Sequence, residues 1–139
     1  MMLEKLTAAD IMTEKVVSFK GDASLLDVTK TLLEKQISGA PVIDRDGKLA
    51  GIITEEDIIA VMKDRDEVLI DQPINRIQSL GTSLIVRDVV SVSPDTPLTD
   101  VITRLIIRKV RRLPVIDDAH TVVGIVSRRD VLRAMLRAK

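Results

Sequence analysis

The chain contains an internal repeat at one fixed spacing, and this repeat limits the possible folds more than any other feature. Two motifs recur at that spacing: Pro41-Val42-Ile43-Asp44 as Pro114-Val115-Ile116-Asp117, and Gly51-Ile52-Ile53-Thr54 as Gly124-Ile125-Val126-Ser127. A single shift without gaps aligns residues 16–63 with residues 89–136. We therefore expect two copies of one folding unit.

Each copy predicts the same order of elements, β-α-β-β-α. An apolar strand (residues 16–19 and 89–92) precedes a helix whose apolar residues recur at i, i+3 and i+7. Two short strands around a polar turn and a second amphipathic helix follow. Thr96-Pro97 predicts the N-cap and first residue of the helix in the second copy, whereas Asp22 and Ser24 are alternative caps in the first. The expected class is α/β (α+β), with small mixed sheets flanked by helices.

The repeat also predicts domain boundaries. We place the first domain at residues 7–63, a polar, turn-rich linker at 64–83 and the second domain at 84–139. A unit of about 60 residues buries too little apolar surface to be comfortably stable alone, so we expect the two copies to pack as a pair. Surplus apolar helix residues (Ile102, Ile106 and Ile107) further indicate a homodimer.

The residue inventory excludes several kinds of chemistry. The chain has no cysteine and one histidine, which removes disulfides, thiolate nucleophiles and His- or Cys-based metal sites. We interpret His120 as a turn residue, because it follows Asp117-Asp118-Ala119 in a polar segment. Asp57 and Asp130 would form a general acid/base pair only if the fold joined them, and nothing in the sequence does so. We predict no catalytic residue, no metal site and no enzyme activity.

Charge is unevenly distributed along the chain. Residues 1–100 carry 11 Lys/Arg against 18 Asp/Glu, a net −7, and residues 101–139 carry 10 against 3, a net +7. The basic region could meet an anionic ligand, an acidic partner or the chain's own acidic part. Nucleic-acid binding through residues 104–139 is an alternative function, but Phe19 is the only aromatic residue and single-strand binders stack bases on several rings. We do not expect nucleic acid as the partner.

The sequence also indicates where in the cell the protein is located. No stretch approaches the ~18 to 20 apolar residues that span a bilayer. Residues 1–6 place a carboxylate, Glu4, where a signal peptide needs a basic start and an apolar run. We therefore expect a cytoplasmic protein without a membrane partner.

The doubled motifs resemble those of a known family. Pro-Val-Ile-Asp before a turn and Gly-apolar-apolar-Ser/Thr-x-x-Asp after it, both occurring twice, resemble the cystathionine-β-synthase (CBS) domain pair, or Bateman module. Asp10-Ile11-Met12-Thr13 is similar to the family's entry segment, whereas Leu84-Ile85-Val86-Arg87-Asp88 lacks the Met-Thr. The resemblance implies a stand-alone regulatory module that binds AMP, ADP, ATP or S-adenosylmethionine in clefts between paired domains. It implies no obligatory cofactor, and an effector protein that the module modulates.

The strongest candidate ligand contacts lie at two predicted strand-to-helix turns. A hydroxyl beside the free N–H groups of a helix start suits a phosphate oxygen, which favours Thr54 and Ser127. Asp57 and Asp130, three residues on, could accept hydrogen bonds from a ribose diol, and the resemblance implies these phosphate and ribose roles. Ser/Thr-x-x-Asp is equally a helix-capping arrangement that needs no ligand. Both interpretations remain open, and so does a ligand-free structural dimerisation subunit.

The two copies differ where phosphates would bind. Arg111 and Arg112 precede Leu113-Pro114, and Arg128-Arg129 follow Ser127, whereas the first copy has Ser38-Gly39-Ala40 and Glu55-Glu56. Because arginine binds phosphate bidentately and glutamate repels it, we expect the second motif to favour an anionic nucleotide through Arg111, Arg112 and Arg129. The resemblance implies an aliphatic adenine pocket, for which plain core packing is the alternative role. Its candidates are Val16, Val17, Gly39, Ala40, Pro41, Val89, Val90, Leu113 and Pro114.

Overall fold

The structure is a computed structural model that describes residues 3–63, 69–79 and 82–137. It divides into two compact units. The central unit comprises the described residues from Val17 to Val89, and the terminal unit comprises those up to Val16 together with those from Val90 onward. Each unit is mixed α/β with a small sheet and flanking helices, as the repeat predicts.

The central unit follows the predicted element order. Its elements are β1 (Phe19–Lys20), α2 (Leu25–Lys35), β2 (Gly39–Ile43), β3 (Leu49–Thr54) and α3 (Glu55–Val61), followed by a 3-10 turn (Ile74–Arg76) and a short hairpin of β4 (Gln78–Ser79) and β5 (Thr82–Ser83). β2 pairs with β1 in parallel and with β3 in antiparallel orientation. Leu25, Val28, Val42 and Ile53 are among the side chains that form its buried core.

The terminal unit repeats this arrangement. A 3-10 turn (Leu3–Lys5) and α1 (Ala8–Ile11) are followed, after the central unit, by α4 (Leu98–Ile107), β6 (Arg112–Ile116), β7 (Val122–Ser127) and α5 (Arg128–Arg137). β6 and β7 are antiparallel, with Leu113 opposite Val126. Leu98, Val101, Val115 and Val126 lie in a separate buried core.

The first strand of each repeat is shorter than predicted. Residues 16–18 lie outside β1, which pairs only at Phe19 and Lys20. In the second repeat the predicted strand 89–92 is reduced to a parallel bridge between Val92 and Val115. Val92 bonds to β6 through both its N–H and its carbonyl, and the next residue on that side of the strand is Pro94, which has no N–H to continue the ladder.

The predicted capping is confirmed in one repeat and wrong in the other. Ser24, one of the two alternatives, caps α2 by accepting from the Asp27 N–H at 3.1 Å. Thr96 does not cap α4, since its hydroxyl serves Ser93 and extended Pro97 (φ −59°, ψ 144°) occupies the N-cap position.

The two compact units do not coincide with the two sequence repeats. Within the segment expected to be a polar linker, Ile74 and Ile77 are 0% and 1% exposed and belong to the central core. Their backbones are held by bonds such as Ile74 N–H to Ala23 O at 2.9 Å. Sequence composition missed this because Asp, Gln, Asn and Arg surround the two apolar residues that are buried.

The entry segments are exchanged between the repeats. Thr13 lies in the first predicted domain (7–63) but pairs with Ile125 of the second, with N–H to O distances of 2.9 and 3.0 Å. Val86 lies in the second predicted domain (84–139) but pairs with Ile52 of the first, at 2.8 and 2.9 Å. Thr13 and Val86 occupy equivalent positions of the repeat, as do Ile125 and Ile52, so both units have the same internal arrangement.

Candidate functional site

The junction of β3 and α3 forms the first candidate site. Thr54 ends β3 in an extended conformation (φ −126°, ψ 156°), and α3 begins at the next residue. The Thr54 hydroxyl accepts from the Asp57 N–H at 3.2 Å and donates to Asp57 Oδ2 at 2.7 Å. Thr54 and Asp57 are both half-buried. The hydroxyl and the carboxylate therefore lie together at a helix start.

The junction of β7 and α5 repeats this geometry with a more enclosed carboxylate. Asp130 Oδ2 accepts from both the Ser127 N–H at 2.8 Å and the Ser127 hydroxyl at 3.0 Å. The Asp130 N–H lies 3.3 Å from Ser127 Oγ and donates to it. These reciprocal bonds form a capping box, and Asp130 is 5% exposed.

Besides the two Ser127 groups, two more side chains donate to Asp130. Its Oδ1 accepts from the Thr13 hydroxyl at 3.1 Å and from Arg133 Nη1 at 3.1 Å. The repeat places Ala60 at the position equivalent to Arg133, and Val86 at the position equivalent to Thr13. Neither side chain can donate a hydrogen bond. Among the described residues, only the Thr54 hydroxyl donates to the Asp57 carboxylate.

Strand register brings the predicted arginines to the helix start of their own repeat. Arg112 lies opposite Ser127 on β7, and the Arg128 N–H donates to the Arg111 carbonyl at 3.2 Å. Arg129 is exposed in the first turn of α5. Four arginines therefore cluster around the start of α5, which makes it an electropositive helix end.

The equivalent position in the central unit has the opposite character. Gly39 lies opposite Thr54, and the Glu55 N–H donates to the Ser38 carbonyl at 2.8 Å. Glu55 and Glu56 occupy the first turn of α3. The charge difference expected from the sequence thus exists at the two helix starts themselves.

The predicted adenine-pocket residues fall into two groups. Five are buried on β2 or β6, and four are half-buried residues outside the strands. The buried group is Gly39, Ala40, Pro41, Leu113 and Pro114, and the half-buried group is Val16, Val17, Val89 and Val90. Ala40 and Leu113 belong to the core clusters of their units. Val17 and Val89 lie in the central unit, and Val16 and Val90 in the terminal unit.

Sequence reasoning missed Thr13 and Arg133 as partners of Asp130. The Asp10-Ile11-Met12-Thr13 motif was visible, but Thr13 lies 117 residues from Asp130. The absence of Met-Thr from residues 84–88 was the available signal that the two carboxylates would have different surroundings.

The described part of the chain offers no alternative centre. It contains no group of three or more His, Asp or Glu side chains placed to hold a metal ion. Among the described residues, no helix combines the length and the apolar character that crossing a membrane requires. His120 is exposed in the predicted turn, where its N–H donates to the Asp117 carbonyl at 2.9 Å.

Comparison with known proteins decides the family. The CBS domain model matches residues 8–64 and again residues 81–137. The chain belongs to the CBS-domain family, as a tandem pair. Its fold is that of the CBS domain pair of protein MJ0100 in complex with 5′-methylthioadenosine and S-adenosyl-L-methionine (TM-score 0.79, 27% identity, covering 96% of this chain and 98% of the other).

Further relatives show the range of proteins that contain such a pair. CBSX2 of Arabidopsis thaliana, solved in complex with AMP, has a TM-score of 0.77 at 29% identity and covers 95% of this chain and 97% of its own. The uncharacterized protein MJ1426 of Methanocaldococcus jannaschii is 31% identical over 91% of this CBS pair and 89% of its own length. In the homoserine O-acetyltransferase of Methanococcoides burtonii, 28% identical, the match spans 91% of this chain but only 24% of the enzyme. CBS pairs thus occur as small proteins and as parts of enzymes.

Proposed function

We propose that this CBS pair is a regulatory module that senses an adenine nucleotide or a related adenosyl compound. The observation that carries the proposal is the hydroxyl–carboxylate pair that begins the closing helix in both units. Support also comes from the MJ0100 pair and CBSX2, which bind 5′-methylthioadenosine, S-adenosylmethionine and AMP at 27% and 29% identity. The candidate ligands are AMP, ADP, ATP and S-adenosylmethionine, with no obligatory cofactor.

We assign the ligand groups to residues by their chemistry. Asp57 and Asp130 are the ribose acceptors, because a carboxylate can accept from both hydroxyls of a diol. Thr54 and Ser127 contact phosphate, and Arg111, Arg112 and Arg129 neutralise it. The candidate adenine contacts are Val17, Gly39, Ala40, Pro41 and Val89 in the central unit, and Val16, Val90, Leu113 and Pro114 in the terminal unit.

The two helix starts should prefer different ligands. The arginines around Ser127 favour a nucleotide with one or more phosphates, whereas Glu55 and Glu56 disfavour phosphate at Thr54. Asp57 retains a carboxylate oxygen, Oδ1, that accepts no hydrogen bond from the described residues, whereas both oxygens of Asp130 are engaged. We therefore propose a phosphorylated nucleotide at the start of α5 and a less charged adenosyl compound at the start of α3.

Mass spectrometry of small molecules released from the denatured, freshly purified protein tests the ligand class. An adenosyl compound at a near-stoichiometric amount supports the proposal. Calorimetric titration with AMP and with 5′-methylthioadenosine then tests the assignment. Asp130→Asn should weaken AMP binding and Asp57→Asn should weaken 5′-methylthioadenosine binding, each by about tenfold, the value of one good charged hydrogen bond. Asp118→Asn, in an exposed turn, is the matched control, and equal losses from both variants would refute the assignment.

Regulation requires a partner to receive the signal. We propose that the module has no catalytic activity of its own, acts in the cytoplasm and modulates an effector protein in response to its ligand. We also propose a homodimer, because large apolar side chains are exposed on the helices of both units. In the terminal unit these are Ile106, Ile107, Leu132, Met135 and Leu136, with exposures from 52% to 76%. Analytical ultracentrifugation of the purified protein tests the dimer.

A ligand-free structural subunit is the second candidate function. The observation that favours it is the inward-facing Asp130 carboxylate, which has four protein donors and is 5% exposed. Under this alternative both motifs are only helix caps. Two results would favour this alternative over ligand sensing: no heat of binding when AMP or 5′-methylthioadenosine is titrated in, and no adenosyl compound released when the purified protein is denatured. The protein would still be a dimer.

A further inference from the structure

The acceptor positions of the Asp130 carboxylate are all taken by protein donors. The two oxygens of a carboxylate offer about four lone-pair positions in total. Oδ2 accepts from the N–H and the hydroxyl of Ser127, and Oδ1 accepts from the Thr13 hydroxyl and from Arg133. A ribose diol can therefore donate to Asp130 only if one of these donors leaves.

The donors differ in how readily they can leave. The Ser127 hydroxyl also accepts from the Asp130 N–H at 3.3 Å, so both Ser127 groups belong to the helix cap. Thr13 is fixed by two backbone hydrogen bonds to Ile125, and its hydroxyl can accept from a ribose hydroxyl as well as donate. Arg133 lacks both properties. In the part of the chain that the structure describes, its side chain bonds only to Asp130.

Helix geometry places Arg133 on the solvent side of the carboxylate. Residues three apart share one face of a helix, and long side chains point back toward its N-terminus. Arg133 Nη1 lies 3.1 Å from Asp130 Oδ1, with the arginine side chain 63% exposed and the aspartate side chain 6% exposed. Because water competes for the exposed guanidinium, breaking this contact should cost at most about fivefold in a binding constant.

We propose that Arg133 occupies the position on Asp130 Oδ1 that a ribose hydroxyl takes, so that a nucleotide must displace it. This role rests on the proposed function, in which Asp130 is a ribose acceptor. Arginine has N–H donors and no acceptor, so it competes with ribose for the carboxylate. Arg133 is thus a specificity-determining residue that lowers the contribution of the ribose hydroxyls to affinity in the terminal unit.

The central unit has no such competitor. Ala60, which is exposed, occupies the position on α3 equivalent to Arg133. Only the Thr54 hydroxyl, among the described groups, donates to the Asp57 carboxylate, and it donates to Oδ2. No side chain has to leave before a diol donates to Oδ1. The ribose hydroxyls should therefore contribute more to binding at Asp57 than at Asp130.

The contribution of the ribose hydroxyls can be measured as the ratio of the Kd of 2′,3′-dideoxy-AMP to the Kd of AMP. Both compounds carry the same phosphate, so the ratio is insensitive to the loss of a positive charge. In calorimetric titrations Arg133→Ala should raise this ratio about threefold over that of the native chain. Arg133→Lys keeps a cationic donor and should restore the low ratio. Arg137→Ala removes an exposed charge one turn further along α5 and should leave the ratio unchanged.

Transferring the competitor to the central unit should produce the opposite change. Ala60→Arg places a guanidinium three residues after Asp57 at an exposed position. We expect it to lower, by about threefold, the ratio of the Kd of 2′,3′-dideoxy-5′-methylthioadenosine to that of 5′-methylthioadenosine. Ala60→Met adds a long side chain without a donor and is the matched control that should leave the ratio unchanged.

These measurements separate the role of Arg133 from the proposed function. If the native chain binds AMP but Arg133→Ala leaves the ratio unchanged, the role of Arg133 is overturned and nucleotide sensing stands. A lower ratio also overturns it, because Arg133 would then donate to the ribose itself. Absence of AMP binding to both proteins would remove the proposed function, and this role with it.

A crystal structure of the native chain with AMP provides a second test that needs no variant. A ribose hydroxyl should lie within hydrogen-bonding distance of Asp130 Oδ1, and Arg133 Nη1 should lie beyond it. An ion pair between Arg133 and Asp130 that persists beside the bound ribose would overturn the displacement.

Discussion

The two helix starts of this CBS pair share a motif but differ in how completely the protein satisfies its carboxylate. Among the described residues, four groups donate to the carboxylate of Asp130, which is almost fully buried, whereas one side chain donates to that of half-buried Asp57. Duplication preserved the Ser/Thr-x-x-Asp cap in both repeats. Three additional donors, the Ser127 N–H, the Thr13 hydroxyl and Arg133, serve only Asp130. The difference separates a carboxylate whose two oxygens both accept hydrogen bonds within the protein from one whose Oδ1 accepts none from the described residues.

The exchanged entry segments explain this difference. The strands β3 and β7 each pair with an entry-segment residue of the other repeat. Thr13 therefore lies beside β7 and donates to Asp130, whereas Val86 occupies the equivalent place beside Ile52 on β3. Substitution in an entry segment therefore changes the site of the other repeat. The contrast between the two carboxylates can be tested by removing or transferring these contacts.

Removing the carboxylates should give the largest difference. Asp130→Ala removes a buried carboxylate that accepts four hydrogen bonds and should lower the free energy of unfolding by about 3 kcal/mol. Asp57→Ala loses only a partly exposed cap and should cost about 1 kcal/mol. Urea denaturation followed by circular dichroism measures both, with Asp118→Ala as control. Equal losses would show that the extra donors of Asp130 contribute nothing.

Alanine substitution of the equivalent glycines Gly51 and Gly124 should show how rigidly each of the two entry segments is held. A Cβ at Gly51 would lie 2.7 Å from the Val86 carbonyl oxygen, whereas at Gly124 it would meet the Met12 side chain. Backbone yields less than a flexible methionine, so Gly51→Ala should destabilise by about 2 kcal/mol and Gly124→Ala by about 1 kcal/mol. Thermal denaturation provides the measurement. The reverse order would mean that the Thr13 segment is held more rigidly than the Val86 segment.

Exchanging the residues of the entry segments tests the origin of the asymmetry. Thr13→Val removes one donor from Asp130 and should destabilise by about 1 kcal/mol. In an Asp130→Ala background the same substitution should have little effect, because its acceptor is already absent. Val86→Thr is the reciprocal variant and offers Asp57 the donor that it lacks. A full effect of Thr13→Val in both backgrounds would contradict a role through Asp130.

The smallest expected change in stability concerns the turns that join β2 to β3 and β6 to β7. His120 adopts φ 68°, whereas Gly47, at the equivalent position of the central unit, adopts φ 81°. A side chain in this left-handed region is strained, so His120→Gly should raise the free energy of unfolding by about 0.5 to 1 kcal/mol. His120→Ala keeps a Cβ and should give no such gain. A gain from both variants would point to the imidazole rather than to the backbone.

Much of the fold was predictable because its signals are local. Apolar spacing gave α2 and α4, and polar turns between short apolar runs gave the β2–β3 and β6–β7 hairpins. The first strand of the second repeat was shorter than predicted because Pro94 has no N–H to continue the ladder. The Thr96 cap was wrong because its hydroxyl accepts from Ser93 and Pro97 occupies the N-cap position. The charge contrast around Thr54 and Ser127 was also predictable, since strand register keeps each pre-proline segment beside its own helix start.

The sequence by itself determined that there are two copies of one α/β unit, and which positions in each offer a hydroxyl, a carboxylate or an arginine. Only the tertiary structure decided that each entry segment packs with the opposite repeat, and that Ile74 and Ile77 are core residues. The physical reason is distance along the chain. Periodicity and capping are set by neighbours within a few residues, whereas the bond between Thr13 and Asp130 joins groups 117 residues apart.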